Sequence, residues 1–368
     1  ADSLFTNSTG EYNVAMGYMA LYSNTTASNN VAIGYQALLL NTTGTNNVAV
    51  GKNALDACTT SVSNVCVGNS AGGSITTGNG ENVCVGNNAG GAMTTGQQNI
   101  LIGDNCAAGA AITGNTNTII GDNAGYDLTT GTDNVSLGAA SLANLTTGSN
   151  NVAIGKDASG SLTTGSTNIT IGAQAGSQDT GSSNNIYIGY YCGKDSDSGD
   201  KNVAVGGYAC SGDQNGTTSG YNNSCLGWEA GKRLTTGHLN TLVGYQAGSL
   251  STTGENNVFV GSVSGYTNVD GNANTGIGRG SLYYLTGGDT NSACGYDAGS
   301  EVTTGANNSF LGYRAGKSNS PSGSVTTGSN NVVLGNDSIQ NLYCADTSIS
   351  SSDSRDKTDV TDFTKGLD

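Results

Sequence analysis

Apolar and polar positions recur along this chain with a fixed short period. The pattern is clearest in Asn151-Val152-Ala153-Ile154-Gly155. Its glycine has equivalents at Gly17, Gly34, Gly51, Gly68, Gly86, Gly103, Gly121, Gly138, Gly172, Gly189, Gly206, Gly227, Gly244, Gly261, Gly278, Gly295, Gly312 and Gly335. The 19 glycines leave 18 intervals, of which 14 are 17 residues and the others 18, 18, 21 and 23. A period this short marks stacked repeats and decides the architecture before any single residue does. We number positions within a unit from this reference glycine.

Position −4 is asparagine in all 19 units, and −3 is Val, Ile, Thr or Ser. Position −1 is Val, Ile or Leu except at Met16 and Cys294, and +3 is always Ala, Ser or Cys. An apolar residue and Thr-Thr-Gly follow, as in Leu145-Thr146-Thr147-Gly148. A segment such as Val-Ala-Ile reads as a short strand. Glycine and asparagine at its ends supply the positive backbone angles of tight turns. A strand, a corner, a second short segment and another turn make one coil. Stacked coils pair strand on strand in parallel, about 4.8 Å apart, so 19 of them give a rod of roughly 90 Å. The expected fold is therefore all-β: a parallel β-solenoid (β-roll) of about 19 coils of 17 residues, with residues 1–338 as one shaft. The stacked asparagines are read either as a hydrogen-bonded ladder or as plain turn residues.

Alternation places position −2 on the opposite face from −3 and −1. The expectation is that the Val and Ile ranks fill the coil and that −2 faces outward. No residue at −2 carries a charge in any unit. A long apolar stripe on a surface needs a partner, and a second copy of the chain is the economical one. Ala153, Ala204, Leu242, Phe259 and Phe310 are then the expected contacts between copies.

Composition narrows the picture. Of 368 residues 59 are glycine and one is proline, with 12 Lys and Arg against 27 Asp and Glu, a net charge of −15. Nucleic acid and anionic membrane are unexpected partners for such a chain. No apolar run approaches the 18 or so residues of a membrane span, so no insertion is expected. The nine cysteines mostly replace Ala, Val or Ser and read as small core filler. Cys66 and Cys84 share a rank on adjacent coils and come within possible disulfide distance. There is one histidine, His238, and no Cys-x-x-Cys motif, so neither a metal nor a cofactor is expected. The longer intervals place surface loops at 211–221 and 317–325.

Aromatic residues gather at +1 and near it. Tyr190, Tyr191, Tyr208, Trp228, Tyr245, Tyr296 and Tyr313 are candidate saccharide contacts, since exposed rings on a polar rod suit stacking on sugars. The same rings also suit plain packing between corners. Scattered acids such as Asp104, Asp122, Asp157, Glu229 and Asp297 do not form the carboxylate pair that a depolymerase needs. Ice binding through the Thr-Thr ranks would require both threonines of a pair to face outward, which alternation forbids.

The Asn-x-Val-Ala-Ile-Gly unit resembles the head repeats of trimeric autotransporter adhesins of the YadA type, over about nine-tenths of the chain. That resemblance implies a left-handed β-roll with three chains around one axis. Past residue 338 the repeat stops. An exit segment, 339–352, leads to a charged stretch, 353–368, that resembles the opening of the intramolecular chaperone domain ending endosialidase-type phage tail fibres. Asp353 and Arg355 match its motif, whereas Ser354 and Asp356 depart from it. The resemblance implies self-cleavage before Ser352 with Lys357 as base, and no other enzymatic activity. Together these features lead us to expect a homotrimeric, extracellular receptor-binding fibre: a phage tail fibre contacting host surface polysaccharide and other virion tail proteins. A bacterial trimeric adhesin or filament is the alternative, ahead of a polysaccharide depolymerase or an ice-binding protein.

Overall fold

The computed structural model describes residues 2–195, 199–212 and 219–341. It is all-β among these residues, with 19 three-residue strands from β1 (Val14–Met16) to β19 (Val332–Leu334). Each strand pairs in parallel with the next, in register, so Val14 lies beside Val31 and Ser309 beside Val332. The strands form one sheet down one side of a β-solenoid, at the predicted period. None of the described residues forms a helix long and apolar enough to cross a membrane.

The coils are joined by backbone hydrogen bonds on every side, not only along the sheet. In the coil around Gly155, Gly155 and Asp157 donate their N–H groups to Leu137 and Ala139 of the coil before. Ser159, Ser161 and Thr163 donate to Ala175, Ser177 and Thr180 of the coil after. The corners need left-handed backbone at Gly155, Asp157, Ser159 and Thr167, with φ of 132°, 55°, 47° and 60°. Gly155 has a second constraint. A Cβ there would stand 2.6 Å from the carbonyl carbon of Gly172. The reference glycines are thus stacked so closely that no side chain fits between them.

The asparagine rank is a ladder. Asn151 donates from its amide nitrogen to Asn134 Oδ1 (3.1 Å) and Gly165 O (2.9 Å). Its own Oδ1 accepts from the backbone and side chain of Asn168 at 3.0 and 3.2 Å. Asn151 is fully buried, so these bonds meet the need of a buried amide for partners. The first threonine of most Thr-Thr pairs is used similarly: Thr146 Oγ1 donates to Thr163 O at 3.0 Å.

The facing of the strands is the reverse of the sequence expectation. Position −2 points into the coil: Ala153, Ala204, Leu242 and Phe259 have no exposure and Phe310 has 2%. They are core residues and not contacts between copies. The Val and Ile ranks at −3 and −1 stand on the outside, half-buried or exposed, as in β9 (Val152–Ile154). Alternation says only that the two sets lie on opposite faces. The choice is made by the rest of the coil, whose interior already holds +3, +4, +7 and the asparagine ladder: in the coil after Gly138 these are Ser141, Leu142, Leu145 and Asn151. One central residue per strand fits in the remaining space, and two branched ones do not.

Size is matched across this interior. Phe259 lies against Gly265, and Tyr187 against Gly193, where a Cβ would be 2.6 Å from the ring. Coils with alanine at −2 tend to carry the larger residue at +4, as Ala49 and Leu55 do. The apolar interior forms two clusters, from Ala20 to Leu162 and from Ala175 to Val333. Between them lie buried polar groups: Ser159 and Thr170, whose hydroxyls are 2.9 Å apart, and Asp179 with Ser182.

Most of the cysteines are core filler, as expected. Cys66 and Cys84 are in-register neighbours but remain free thiols, as do buried Cys58, Cys106 and Cys192. The disulfide joins Cys210 at +4 to Cys225 at −2 of the following strand, across the coil interior beside the 211–221 insertion. Burial pushes the Cys58 thiol up to about 11 and those of Cys106 and Cys192 to about 12, which keeps them protonated and unreactive. Cys294, at −1 on the outer face, is exposed.

Candidate functional site

The candidate site is built on the rim where positions +1 and +2 follow the strand. Position +2 has left-handed backbone in most coils, including Tyr191 at φ 54° and Tyr208 at φ 56°. Its N–H is tied to the +1 carbonyl of the coil before, as in the 2.9 Å bond from Tyr208 to Tyr190. Equivalent side chains therefore project one above another at the coil spacing.

Coils 11 to 13 use this arrangement to gather four rings. Tyr191 and Tyr208 stack with centroids 5.4 Å apart and planes at 10°. Tyr190 meets both edge-on, at 4.2 and 5.6 Å. Trp228 adds an edge contact to Tyr208 at 5.5 Å. It lies over Gly207, where a Cβ would come 2.5 Å from the indole ring. A glycine at +1 thus opens the gap that the indole occupies.

Two lysines at position +5 bracket the rings. Lys194 Nζ is 5.0 Å from the Tyr191 centroid and Lys232 Nζ is 5.3 Å from that of Tyr208. Lys232 also donates to Glu229 at 2.7 Å, and Gln246 donates to the other Glu229 oxygen at 2.7 Å. The lysine hydrogen bond holds the Glu229 carboxyl below its usual range. A hydrogen bond with Tyr191 pushes the Tyr190 hydroxyl up to about 12. The three tyrosines and the two lysines, with Asp195, Ser211, Gly212 and Glu229, line a cleft of about 440 Å³, and Trp228 stands beside it. Chemically the cleft offers ring surface for sugar C–H faces and charged groups for hydroxyls.

Four of the seven sequence-predicted aromatic residues thus come together. Tyr245 stands one coil further on, 52% exposed, and joins no ring pair among the described residues. Tyr296 and Tyr313 form a separate stacked pair on coils 17 and 18, centroids 5.5 Å apart. Sequence reasoning missed Lys194 and Lys232. The signal was present: both hold position +5 in coils whose rim carries tyrosine or tryptophan. His238, the single histidine, stacks on Tyr221 and approaches Glu255 at 3.1 Å. The described residues hold no cluster of three or more His, Cys, Asp or Glu side chains able to take a metal. Ser352 and Lys357, the self-cleavage pair, lie outside the described residues.

The fold and the rim define a parallel β-solenoid rod with several stacked aromatic groups, two of which, around Tyr208 and around Tyr296, also hold cations against the rings. No protein-family model matches this chain, and no curated protein matches it.

Proposed function

We propose that this chain is the shaft of an extracellular receptor-binding fibre, a bacteriophage tail fibre that attaches to host surface saccharides. The observation that carries the reading is the four-ring cluster of Tyr190, Tyr191, Tyr208 and Trp228 beside the lysine-bracketed cleft. Buried rings would explain themselves as packing. Tyr190 and Trp228 are each 48% exposed, in a chain with 21 Phe and Tyr and one Trp. Such rings, held rigid by the stack, present a low-entropy surface to a ligand.

Assembly belongs to the same reading, with its face reassigned. Three copies associate through the flat outer surface of the −3 and −1 ranks. That surface carries no charged residue in any of the 19 strands. At roughly 90 Å by 10 Å it offers about 900 Å² per chain, close to the 800 Å² or so per partner of a stable interface. Other virion tail proteins hold the ends of the fibre, and the charged stretch after Ser352 opens a self-cleaving chaperone.

The test is binding of the chain to an array of bacterial surface polysaccharides. Tyr191→Ala with Tyr208→Ala should lower binding to the recognised polymer at least tenfold, with the melting curve retained. A variant that binds like the parent overturns this assignment.

A further inference from the structure

A second concentration of side chains lies on coils 17 and 18. Tyr296 and Tyr313 stack at 5.5 Å, as described. Arg279 lies over the Tyr296 ring at 5.2 Å and donates to its hydroxyl at 2.8 Å. Arg314 lies over the Tyr313 ring, also at 5.2 Å. Lys317, at the same +5 position as Lys194 and Lys232, completes the group. All three cations converge on one carboxylate, Asp297, at 4.0, 3.9 and 3.3 Å.

The imbalance is unusual for this chain. It has 27 acidic residues against 12 basic ones. Cations scattered on such a surface would each find an acid easily. Here three cations meet one acid, which leaves two positive charges in excess. Structural need does not account for them, since exposed ion pairs contribute little to stability. The side chains stay accessible: Arg279 is 57% and Arg314 39% exposed. Guanidinium groups seated beside aromatic rings are held in place, yet keep N–H donors free for a planar anion such as a carboxylate.

We infer that this ledge binds the carboxylate of an acidic saccharide, a uronic-acid type of sugar, in the host surface polymer. The inference rests on the saccharide-binding reading above and adds a charge requirement at a different place on the rod. Tyr296 and Tyr313 stay 41% and 51% exposed beside the guanidinium groups. The ledge therefore adds two guanidinium groups to a ring surface like that of the first cleft, and the charge sets it apart. Arg279 and Arg314 hold the carboxylate, Lys317 adds charge, and the tyrosines position the arginines.

The experiment titrates the intact chain with trigalacturonate and with its methyl ester, which has the same rings and no charge. The acid should bind at least tenfold more tightly than the ester, and the preference should shrink with added salt. Arg279→Gln with Arg314→Gln should abolish the preference; both residues lie on the rim, and an unchanged melting curve verifies folding. Tyr191→Ala with Tyr208→Ala should leave the preference intact. Equal binding of acid and ester overturns the charge requirement and leaves saccharide binding standing. A preference that survives the arginine changes but vanishes with Tyr191 and Tyr208 moves the anion to the first cleft and overturns the site. Inorganic phosphate binding as tightly as trigalacturonate overturns the saccharide as ligand. No binding of either sugar overturns the inference, and loss of the array signal as well would remove the underlying reading.

Discussion

At the scale of the residue, the −2 position shows what one side chain decides here. Ala153 is fully enclosed, while its neighbour Ile154 stands on the outer face. Ala153→Asp should cost several kcal/mol, because it buries a charge with no partner and has no room. Ile154→Asp should change the melting of the single chain by less than about 1 kcal/mol. Thermal denaturation of the two variants checks this, and equal destabilisation would contradict the facing of the strand. The period, the strand and the glycine corners were legible in the sequence. The facing was not, because alternation is symmetric between the two faces. A cue was nonetheless present: Phe259, Tyr187 and Phe310 each have a glycine six residues later, at Gly265, Gly193 and Gly316. Opposed sizes of this kind are expected of residues sharing an interior, not of residues on a surface. The left-handed residues at +2, +4 and +12 were also hidden. They are occupied by Tyr, Leu, Ser, Asp and others that would not choose that backbone alone. Hydrogen bonds to both neighbouring coils hold them there, against a cost on the order of 1 kcal/mol each.

At the scale of the coil, the interior is not uniformly apolar. Asp179 occupies position +7, where most other coils have an apolar residue or Asn. Burial pushes its carboxyl up from 3.8 to about 6, although hydrogen bonds from the Ser182 hydroxyl and the Ser182 and Gly181 backbone pull it down. Asp200 adds a small upward push. The folded chain thus holds a proton that the unfolded chain has released between pH 4 and 6. Its contribution is fully present below about pH 4 and is lost as pH rises through about 6, a span worth about 3 kcal/mol. Asp179→Asn should flatten this slope, since Asn24, Asn41 and Asn268 already occupy the equivalent position. Denaturant melts of both chains from pH 4 to 7 measure it; parallel curves would refute the assignment. The site was legible coil by coil to the extent that its rings repeat at +1 and +2. Its lysines were less so, because +5 is mostly filled by small or aromatic residues and the partnership across three positions appears only when the corner is folded.

At the scale of the whole molecule, the proposed assembly rests on the outer face of the 19 strands. Val135, Ile154 and Ile171 lie on it, and so does the exposed thiol of Cys294. Light scattering should give the mass of three chains. Lysines at Val135, Ile154 and Ile171 together should reduce it to one chain without unfolding the coils. Cys294 should react with a thiol reagent in the variant and be shielded in the parent. A parent with the mass of one chain, or a triple variant that still assembles, would rule out this face.

The stacking of the reference glycines has one more consequence. Because Gly155 leaves no space against Gly172, neighbouring coils have a single distance of approach. Separation along the rod is therefore counted, not tuned. The rings at Tyr208 and Tyr296 are five coils apart, or ~24 Å. Gain or loss of a whole 17-residue unit would move one ledge relative to the other in increments of ~4.8 Å and in no smaller amount. A polymer touching both ledges would be gauged against that fixed scale, so its repeat length is selected by how many units the gene holds between them.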